Sequence, residues 1–311
     1  MVDISDVLGI RYMKLHFVLE VLEDGVLPVS KESAIRGGIG EMLLCKNCLR
    51  TDKVCEQCEF EPECIVQRMF YSKFDIRPAF MTKGDSVGYV IECEDYRKDF
   101  RIGDRLKCNI LLFGKNIAYA SQYIQSMIEL GKNGLGARKL PFLIVEIKNT
   151  KGQILYDGRE IDRSACQVEI LQDYVDARKK QMDLSAMQNR MIFHTPLTQK
   201  YQQQFLQEFQ MDAITKSIQR RLYILNCFEG RDVKEFYEKN FIAPAIIFQN
   251  VKAMRVKRYS NRYEKSMFFK GIKGSIQLQE ISEDVLDLYL AGELIHIGKN
   301  TSFGFGRYTI R

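Results

Sequence analysis

The last part of the chain combines glycines, cations and aromatic rings in a pattern that could bind a polyanion. It contains three glycines, two basic residues and three aromatic residues: Gly298, Gly304, Gly306, Lys299, Arg307, Phe303, Phe305 and Tyr308. Glycine lets a backbone approach its ligand closely, and consecutive N–H groups in such a loop form a concavity that suits phosphate. The segment therefore indicates a loop that binds nucleic acid. The alternative for the same composition is a glycine-rich hairpin with a purely structural role.

A second basic segment, residues 252–273, precedes this loop. A single acid, Glu264, interrupts its cations, which are Lys252, Arg255, Lys257, Arg258, Arg262, Lys265, Lys270 and Lys273. Its aromatic residues are Tyr259, Tyr263, Phe268 and Phe269. Cations that alternate with aromatic rings suit phosphate contact combined with base stacking. We expect RNA or DNA to contact this segment, and the alternative is a pair of solvated strands with their lysines in water.

Five of the nine cysteines lie close together: Cys45, Cys48, Cys55, Cys58 and Cys64. Two C-x-x-C pairs in a reducing compartment indicate tetrahedral thiolate coordination, most often of zinc. The segment is charged and poor in apolar residues, so a metal would have to supply its folding energy. The preferred ligands are Cys48, Cys55, Cys58 and Cys64, with Cys45 as a substitute at the end of the preceding helix. We predict a structural zinc ion rather than an iron–sulfur cluster, and the alternative is a loop of free thiols.

The composition is that of a folded protein with two domains of ordinary size. The chain has 311 residues, of which 46% are hydrophobic and 28% are charged, with a net charge of +6. This charge permits a polyanionic partner without requiring one. No secretory signal or membrane-spanning segment is evident, so we expect a cytoplasmic protein whose cysteines are reduced and that has no membrane partner.

The hydrophobic pattern predicts strands and helices that repeat in the two halves of the chain. Strands are predicted at residues 13–22, 87–93, 106–113, 142–147, 190–194 and within the basic segment. Helices are predicted at residues 31–44, 118–130, 202–228 and 282–293. In each half the last helix leads into a basic, glycine-rich loop, at residues 131–139 and again at 298–307.

This repetition predicts an α+β fold of two ferredoxin-like βαββαβ domains in tandem, similar to RNA-recognition motifs. We expect the domains to span residues 1–180 and 188–311, separated by a charged linker. The cysteines at about 45–64 are then a small inserted four-cysteine metal knuckle in the first domain.

Short motifs along the chain resemble one known family in their order and spacing. They are Arg36-Gly37-Gly38-Ile39-Gly40, the inserted cysteines with Phe70, Ile102-Gly103-Asp104, Leu112-Phe113-Gly114, Gly134-Leu135-Gly136, Thr195-Pro196-Leu197, Gly271 with Gly274, and His296 to Tyr308. Together they resemble the CRISPR precursor-RNA processing endoribonucleases of the RAMP superfamily, in the branch with an inserted zinc-binding cysteine cluster. The resemblance spans most of the chain.

The resemblance implies a protein that binds CRISPR repeat RNA and cuts the precursor transcript once in each repeat. The implied reaction uses no catalytic metal: the ribose 2′-hydroxyl attacks the adjacent phosphate and leaves 2′,3′-cyclic phosphate and 5′-hydroxyl ends. CRISPR effector or adaptation proteins are further implied partners. One alternative is a non-catalytic RAMP subunit that holds crRNA in an effector complex, and another is a zinc-ribbon protein that binds a partner protein.

Such a reaction needs a base for the 2′-hydroxyl, an acid for the departing 5′-oxygen and a cation near the phosphorane. Histidine suits both proton roles, and the chain has three: His16, His194 and His296. Many relatives carry the catalytic histidine in or near the first helix of the first domain. Residues 31–44 contain none.

The candidates are therefore ranked by their position. His296 comes first because it lies where a helix meets the glycine-rich loop, beside Lys299, although it could instead orient the loop. His16, on the mixed face of the first strand, comes second, and His194 is more typical of a structural residue at the end of a strand.

A tyrosine with a neighbouring cation, namely Tyr259 or Tyr263 with Arg258 or Lys257, could replace histidine. The predicted catalytic residues are His296, His16, Tyr259 and Lys299. The predicted RNA-binding residues are Gly298, Lys299, Gly304, Gly306, Arg307, Lys257, Arg258, Arg262, Arg138 and Lys139.

Overall fold

The structure is a computed structural model, and it describes residues 3–50, 52, 55, 58–81, 87–182, 188–260 and 265–311. The chain divides into two compact units. The N-terminal unit comprises Tyr12–Lys73 and Phe80–Val168. The C-terminal unit comprises the residues up to Arg11, Phe74–Ala79 and Glu169–Arg311.

Eight α-helices and fourteen strands are defined within the described residues. The helices are α1 Ile4–Val7, α2 Glu32–Asn47, α3 Ile65–Phe70, α4 Ala120–Asn133, α5 Leu171–Gln181, α6 Met211–Phe228, α7 Lys234–Glu238 and α8 Glu283–Ile295. The strands are β1 Arg11–Val21, β2 Gly25–Val26, β3 Tyr89–Glu92, β4 Asp99–Phe100, β5 Arg105–Phe113, β6 Phe142–Lys148, β7 Ile154–Tyr156, β8 Glu169–Ile170, β9 Arg190–Leu197, β10 Lys200–Tyr201, β11 Gln204–Phe205, β12 Ile246–Ser260, β13 Lys265–Leu278 and β14 Tyr308–Ile310. Short 3₁₀ turns occupy Gly114–Tyr119, Arg163–Ala165 and Thr301–Phe303.

The sheet of the N-terminal unit has the strand order β3-β5-β1-β6-β7, and each neighbouring pair is antiparallel. Strand β1 alternates as its sequence predicts, so one of its faces buries Met13, Leu15, Phe17, Leu19 and Val21 in a core with α2 and α4. Each such side chain contributes about 1.5–3 kcal/mol through burial. The other face of β1 is turned away from these helices and carries its polar residues, because side chains alternate along a strand.

The sheet of the C-terminal unit has the strand order β12-β13-β9-β14, again with antiparallel neighbours. Helices α6 and α8 pack against each other, and α5 packs against α8. In both units the order of the elements is βαββαβ, and the sheet order is second, third, first, fourth strand. The predicted tandem ferredoxin-like fold is therefore confirmed.

Three details differ from the sequence-based expectations or extend them. The helix expected from residue 202 begins at Met211 instead, because residues 200–205 form the β10–β11 hairpin. Helix α5 covers part of the expected linker and lies in the C-terminal unit. The domain boundary at 180 and 188 stays a prediction, since residues 183–187 lie outside the described residues. None of the helices in the described ranges is long and apolar enough to cross a bilayer.

Candidate functional site

A row of polar side chains lies on the face of the N-terminal sheet that is turned away from α2 and α4. His16 of β1 stands opposite Asn109 of β5, and Asn109 stands opposite Glu92 of β3. Nδ1 of His16 lies 2.8 Å from Oδ1 of Asn109, and Nδ2 of Asn109 donates to Oε2 of Glu92 at 2.8 Å. The same carboxylate oxygen lies 2.9 Å from Nζ of Lys14. The register of three strands thus assembles one connected network around a histidine.

This network fixes which nitrogen of His16 can act as a base. The Glu92 carboxylate can only accept, so the amide NH₂ of Asn109 must point towards it, and its carbonyl oxygen must face the imidazole. Nδ1 of His16 therefore carries the proton and donates to Asn109, which leaves the lone pair of the neutral ring on Nε2. Glu92 is only 4% exposed, and the Lys14 ammonium group balances its charge. A half-buried histidine oriented by a second side chain has the form of a general base.

The sequence indicated His16 but not its partners. Asn109 and Glu92 are distant from His16 along the chain, and only the register of the sheet brings them to it. One sequence signal could have indicated Asn109. Polar residues 107 and 109 alternate with apolar residues in β5, which places Asn109 on a polar face of its strand, as His16 is on β1.

His296, by contrast, is fully buried at the C-terminal end of α8. Its backbone takes φ +56°, and its Nδ1 lies 3.1 Å from the carbonyl oxygen of Phe305. The imidazole thus joins the end of α8 to the loop that follows, which corresponds to the loop-orienting alternative. A catalytic role for His296 stays a prediction, and one that its burial disfavours, because a general acid or base must reach the phosphate.

Two side chains of helix α6 anchor the end of α8 and the start of the glycine-rich loop. Ser217 Oγ accepts the backbone N–H of Gly298 at 3.0 Å. One turn further along α6, Nε of Arg221 donates to the carbonyl oxygen of Ile295 at 3.2 Å. A cation at this position also interacts favourably with the C-terminal end of α8. Burial lowers the pKa of Arg221 to about 9.

The loop amides are directed into the protein. The N–H of Lys299 donates to the Thr198 carbonyl at 2.7 Å, that of Gly306 to the Pro196 carbonyl at 3.0 Å, and that of Gly304 to the Thr301 carbonyl at 2.8 Å. The expectation that these groups and the N–H of Gly298 are presented to phosphate is therefore wrong. RNA contact by Gly298, Gly304 and Gly306 through other atoms stays a prediction.

The glycines have a packing role instead. Gly298 and Gly306 take φ +82° and +71°, which L side chains rarely adopt. A Cβ atom at Gly306 would overlap the carbonyl of Ile297, and one at Gly298 would lie 2.7 Å from the carbonyl oxygen of Thr198. The loop therefore closes tightly against β9 only because these positions lack a side chain.

The aromatic residues of the loop are likewise core residues rather than stacking surfaces. Phe303 and Phe305 are buried, with ring centroids 5.3 and 5.5 Å from that of Phe269. Tyr308 is fully buried, and its hydroxyl donates to the carbonyl of Tyr289 at 2.6 Å. Of the chemical groups expected to bind nucleic acid here, the positive charges reach the surface. Lys299 is exposed and Arg307 is half-buried.

The basic segment forms the long β12–β13 hairpin. Lys252 stands directly opposite Lys273, and Arg255 stands opposite Lys270. Like charges in facing positions destabilise a strand pair, so this surface favours an anionic partner. The guanidinium carbon of Arg255 lies 3.8 Å from the ring centroid of Phe268. Of the predicted RNA-binding residues here, Lys257 is exposed.

Three predicted residues of this hairpin are only partly described or not described. Arg258 and Tyr259 lie in β12, opposite Met267 and Ser266, but their side chains are outside the description. Arg262 lies outside the described residues altogether. Their proposed roles stay predictions.

The first glycine-rich loop follows α4 as the second one follows α8. Gly134 and Gly136 take φ +83° and +77°, and Leu135 bridges to Leu140. Arg138 is exposed, and Nζ of Lys139 lies 3.5 Å from the Glu41 carboxylate. This loop thus presents cations from the N-terminal unit, and RNA binding by Arg138 and Lys139 stays a prediction.

The predicted zinc ligands are half-buried and none of the nine cysteines is in a disulfide. Cys48 caps α2, Cys64 precedes α3, and the N–H of Cys58 donates to the carbonyl of Cys55 at 3.3 Å. Within the ranges that the structure describes, no three His, Cys, Asp or Glu residues are grouped so as to hold a metal ion. Structural zinc on Cys48, Cys55, Cys58 and Cys64 stays a prediction.

Two family models match this chain, and the first of them ends at residue 169, where the last segment of the C-terminal unit begins. Residues 10–169 match the family model AF_1859_N, an N-terminal domain. Residues 191–308 match the family model of the CRISPR-associated endoribonuclease Cas6. The C-terminal part of the chain carries a Cas6 domain. This family is the one that the sequence motifs resembled.

The proteins that this chain resembles are distant from it in sequence. An uncharacterized protein of Archaeoglobus fulgidus is 24% identical over 290 residues, covering 92% of this chain and 93% of its own. A Thermus thermophilus Cas6 product complex aligns with a TM-score of 0.52 at 12% identity, covering 96% of this chain and 99% of that one.

A partial Cas6-RT-Cas1–Cas2 complex aligns with a TM-score of 0.58 at 12% identity and covers 98% of this chain. This chain spans only 47% of the chain that it matches there. At these identities the likeness concerns the fold, and it supports the tandem ferredoxin-like arrangement.

Proposed function

We propose that this chain binds CRISPR repeat RNA and cleaves the precursor transcript within each repeat, without a catalytic metal. The observation that carries the proposal is the His16–Asn109–Glu92 network, which provides a base with a defined tautomer in a chain that carries a Cas6 domain. The cations of the β12–β13 hairpin support RNA as the substrate, because facing lysines favour a polyanion.

In the proposed reaction, Nε2 of His16 accepts the proton of the ribose 2′-hydroxyl. The 2′-oxygen forms a bond to the adjacent phosphorus, the bond from phosphorus to the 5′-oxygen breaks, and that oxygen takes up a proton. The products are a 2′,3′-cyclic phosphate and a 5′-hydroxyl. Asn109 and Glu92 stabilise the imidazolium that forms, since the Nδ1–H continues to donate to Asn109. Lys299 and Tyr259, which belong to the C-terminal unit, stay predicted catalytic residues.

The test is cleavage of a labelled repeat RNA in excess EDTA, followed by identification of the product ends. We expect cleavage by the wild type, and a 2′-deoxy substitution at the cut nucleotide should abolish it. His16→Ala should slow cleavage by about 10²–10⁴-fold, the usual contribution of general acid–base catalysis. His194→Ala is the matched control: its imidazole is also half-buried on a strand, with Nε2 2.8 Å from Thr309 Oγ1.

Three results would contradict the proposal. Intact RNA that remains bound would identify a non-catalytic RAMP subunit. Cleavage of the 2′-deoxy substrate would exclude attack by the 2′-hydroxyl. An active His16→Ala variant would remove His16 from the reaction.

Two of the similar solved structures are of a Cas6-RT-Cas1–Cas2 complex. We propose adaptation or effector proteins as further partners of this chain.

A further inference from the structure

The β10–β11 hairpin presents an exposed aromatic ring between two lysines. Phe205 is 45% exposed. Nζ of Lys200 lies over its ring at 5.1 Å from the centroid, and Nζ of Lys299 lies over it at 5.9 Å. In the part of the chain that the structure describes, neither ammonium group is paired with a carboxylate. The sequence pattern did not group these three residues, because it placed Phe205 in a helix predicted at residues 202–228.

The fold holds these three groups in place. Lys200 and Phe205 face each other across the two-stranded pairing, and the N–H of Leu206 donates to the carbonyl of Gln199 at 3.0 Å to close its base. The turn between the strands, Gln202 and Gln203, takes φ +46° and +64°, as a tight two-residue hairpin requires.

The core anchors both ends of this surface. Phe209 is buried after the hairpin and stacks on Phe193 at 4.9 Å. Lys299 is fixed through its backbone N–H on Thr198. The exposed ring and the two ammonium groups are thus held together on an anchored support, and this combination suits base stacking with phosphate contact.

We propose that Phe205, Lys200 and Lys299 form a subsite for one unpaired nucleotide of the RNA substrate. The base stacks on Phe205, and the two lysines contact the phosphates on either side of that nucleotide. This subsite rests on the proposed function in that its ligand is a single-stranded stretch of the same RNA. Stacking on phenylalanine tolerates any base, so the subsite recognises an unpaired nucleotide rather than a sequence.

The geometry distinguishes this ring from Phe268, which is also exposed and lies beside a cation. The face of Phe268 is covered by the Arg255 guanidinium at 3.8 Å, which is a stacking distance. The lysines lie more than 5 Å from the Phe205 centroid. A lysine is a flexible point charge, so its ammonium group can turn to a phosphate while a base occupies the ring face.

The test uses short single-stranded RNAs with 2-aminopurine at one position at a time, because stacking quenches its fluorescence. We expect the wild-type protein to quench one position strongly. Phe205→Ala should remove that quenching and weaken binding by about tenfold, within the range for loss of one stacked base. Phe205→Tyr should restore both. Lys200→Ala and Lys299→Ala should each lower the slope of log affinity against log salt by about 0.7.

The matched control is Phe60→Ala. Phe60 is similarly exposed, at 47%, but it lies between Glu59 and Glu61 rather than beside lysines, and its removal should change neither readout. Equal quenching by wild type and Phe205→Ala would overturn the subsite, even if the repeat were cleaved normally. Complete competition by polyglutamate at equal charge would also overturn it, since it would show binding by charge alone. A Phe205-dependent quench without any RNA cleavage would refute the proposed endoribonuclease and leave the subsite standing.

Discussion

The ion pair between Arg178 and Glu293 should be a main contributor to the stability of the C-terminal unit. Nε of Arg178 lies 2.8 Å from Oε2 of Glu293, and Nη2 donates to Oε1 at 3.3 Å and to the Ile310 carbonyl at 3.2 Å. The Glu293 carboxylate also accepts from the Tyr174 hydroxyl at 2.9 Å and from the Ile310 N–H at 2.6 Å. The side chains are 22% and 2% exposed. One carboxylate therefore links α5, α8 and β14.

Arg178→Met keeps most of the aliphatic stem and removes the charge. Loss of one partner from a buried ion pair destabilises a protein by about 3–5 kcal/mol. Two donors to Glu293 survive and Arg178 is partly exposed, so we expect the lower end, ~3 kcal/mol. Since 1 kcal/mol shifts the melting temperature of a domain of this size by about 2–4 °C, the expected loss is about 6–12 °C.

Lys179→Met provides the control in the same helix contact. Nζ of Lys179 lies 2.8 Å from the Asp287 carboxylate, also between α5 and α8, but these side chains are 37% and 18% exposed. A pair in contact with water contributes about 0–1 kcal/mol. The two variants are compared by urea unfolding followed by circular dichroism. Equal destabilisation by both would refute the argument from burial.

Three further predictions follow from single residues. Gly306→Ala should destabilise the protein by about 1–3 kcal/mol in thermal unfolding, because its φ of +71° and the Ile297 carbonyl leave no room for a Cβ atom; an unchanged melting temperature would contradict the packing role of this glycine. Asn109→Ala should lower kcat for RNA cleavage by about 10²-fold with little change in KM, because it frees the His16 ring from its orientation; a change in KM alone would instead indicate a binding role. Burial raises the pKa of Glu32, and a raised folded-state pKa gives stability that is complete below the unfolded pKa and is lost as pH rises through the folded one. Glu32→Gln should therefore unfold at higher urea than the wild type at about pH 8 and at the same urea near pH 3, and the reverse order at high pH would be incompatible with the shift.

The core of the fold could be predicted because its signal is local. The alternation in β1 and the helical spacing near α2 and α4 are properties of neighbouring residues, and they place the right side chains in the core. The β10–β11 hairpin escaped prediction because its turn is Gln202-Gln203 rather than the Asn-Gly or Asp-Gly typical of such turns.

The site could be predicted only in part because its chemistry depends on contacts that are distant in sequence. The glycine-rich loop has the composition of a phosphate cradle, but its amides are bonded to the carbonyls of Pro196 and Thr198 and to carbonyls of the loop itself. His296 lies beside this loop in the sequence, yet it faces inward to Phe305. The partners of His16 come from two other strands, so no spacing in the sequence could have identified them.

Core residues and polar residues alternate along strand β1, and this limits which substitutions the strand tolerates. Leu15 and Phe17 specify the core, while Lys14 and His16 between them face away from it. Replacing Lys14 would change no core contact, but it would remove the cation that balances the buried Glu92 carboxylate. The polar face of β1 therefore tolerates fewer substitutions than its separation from the core would suggest.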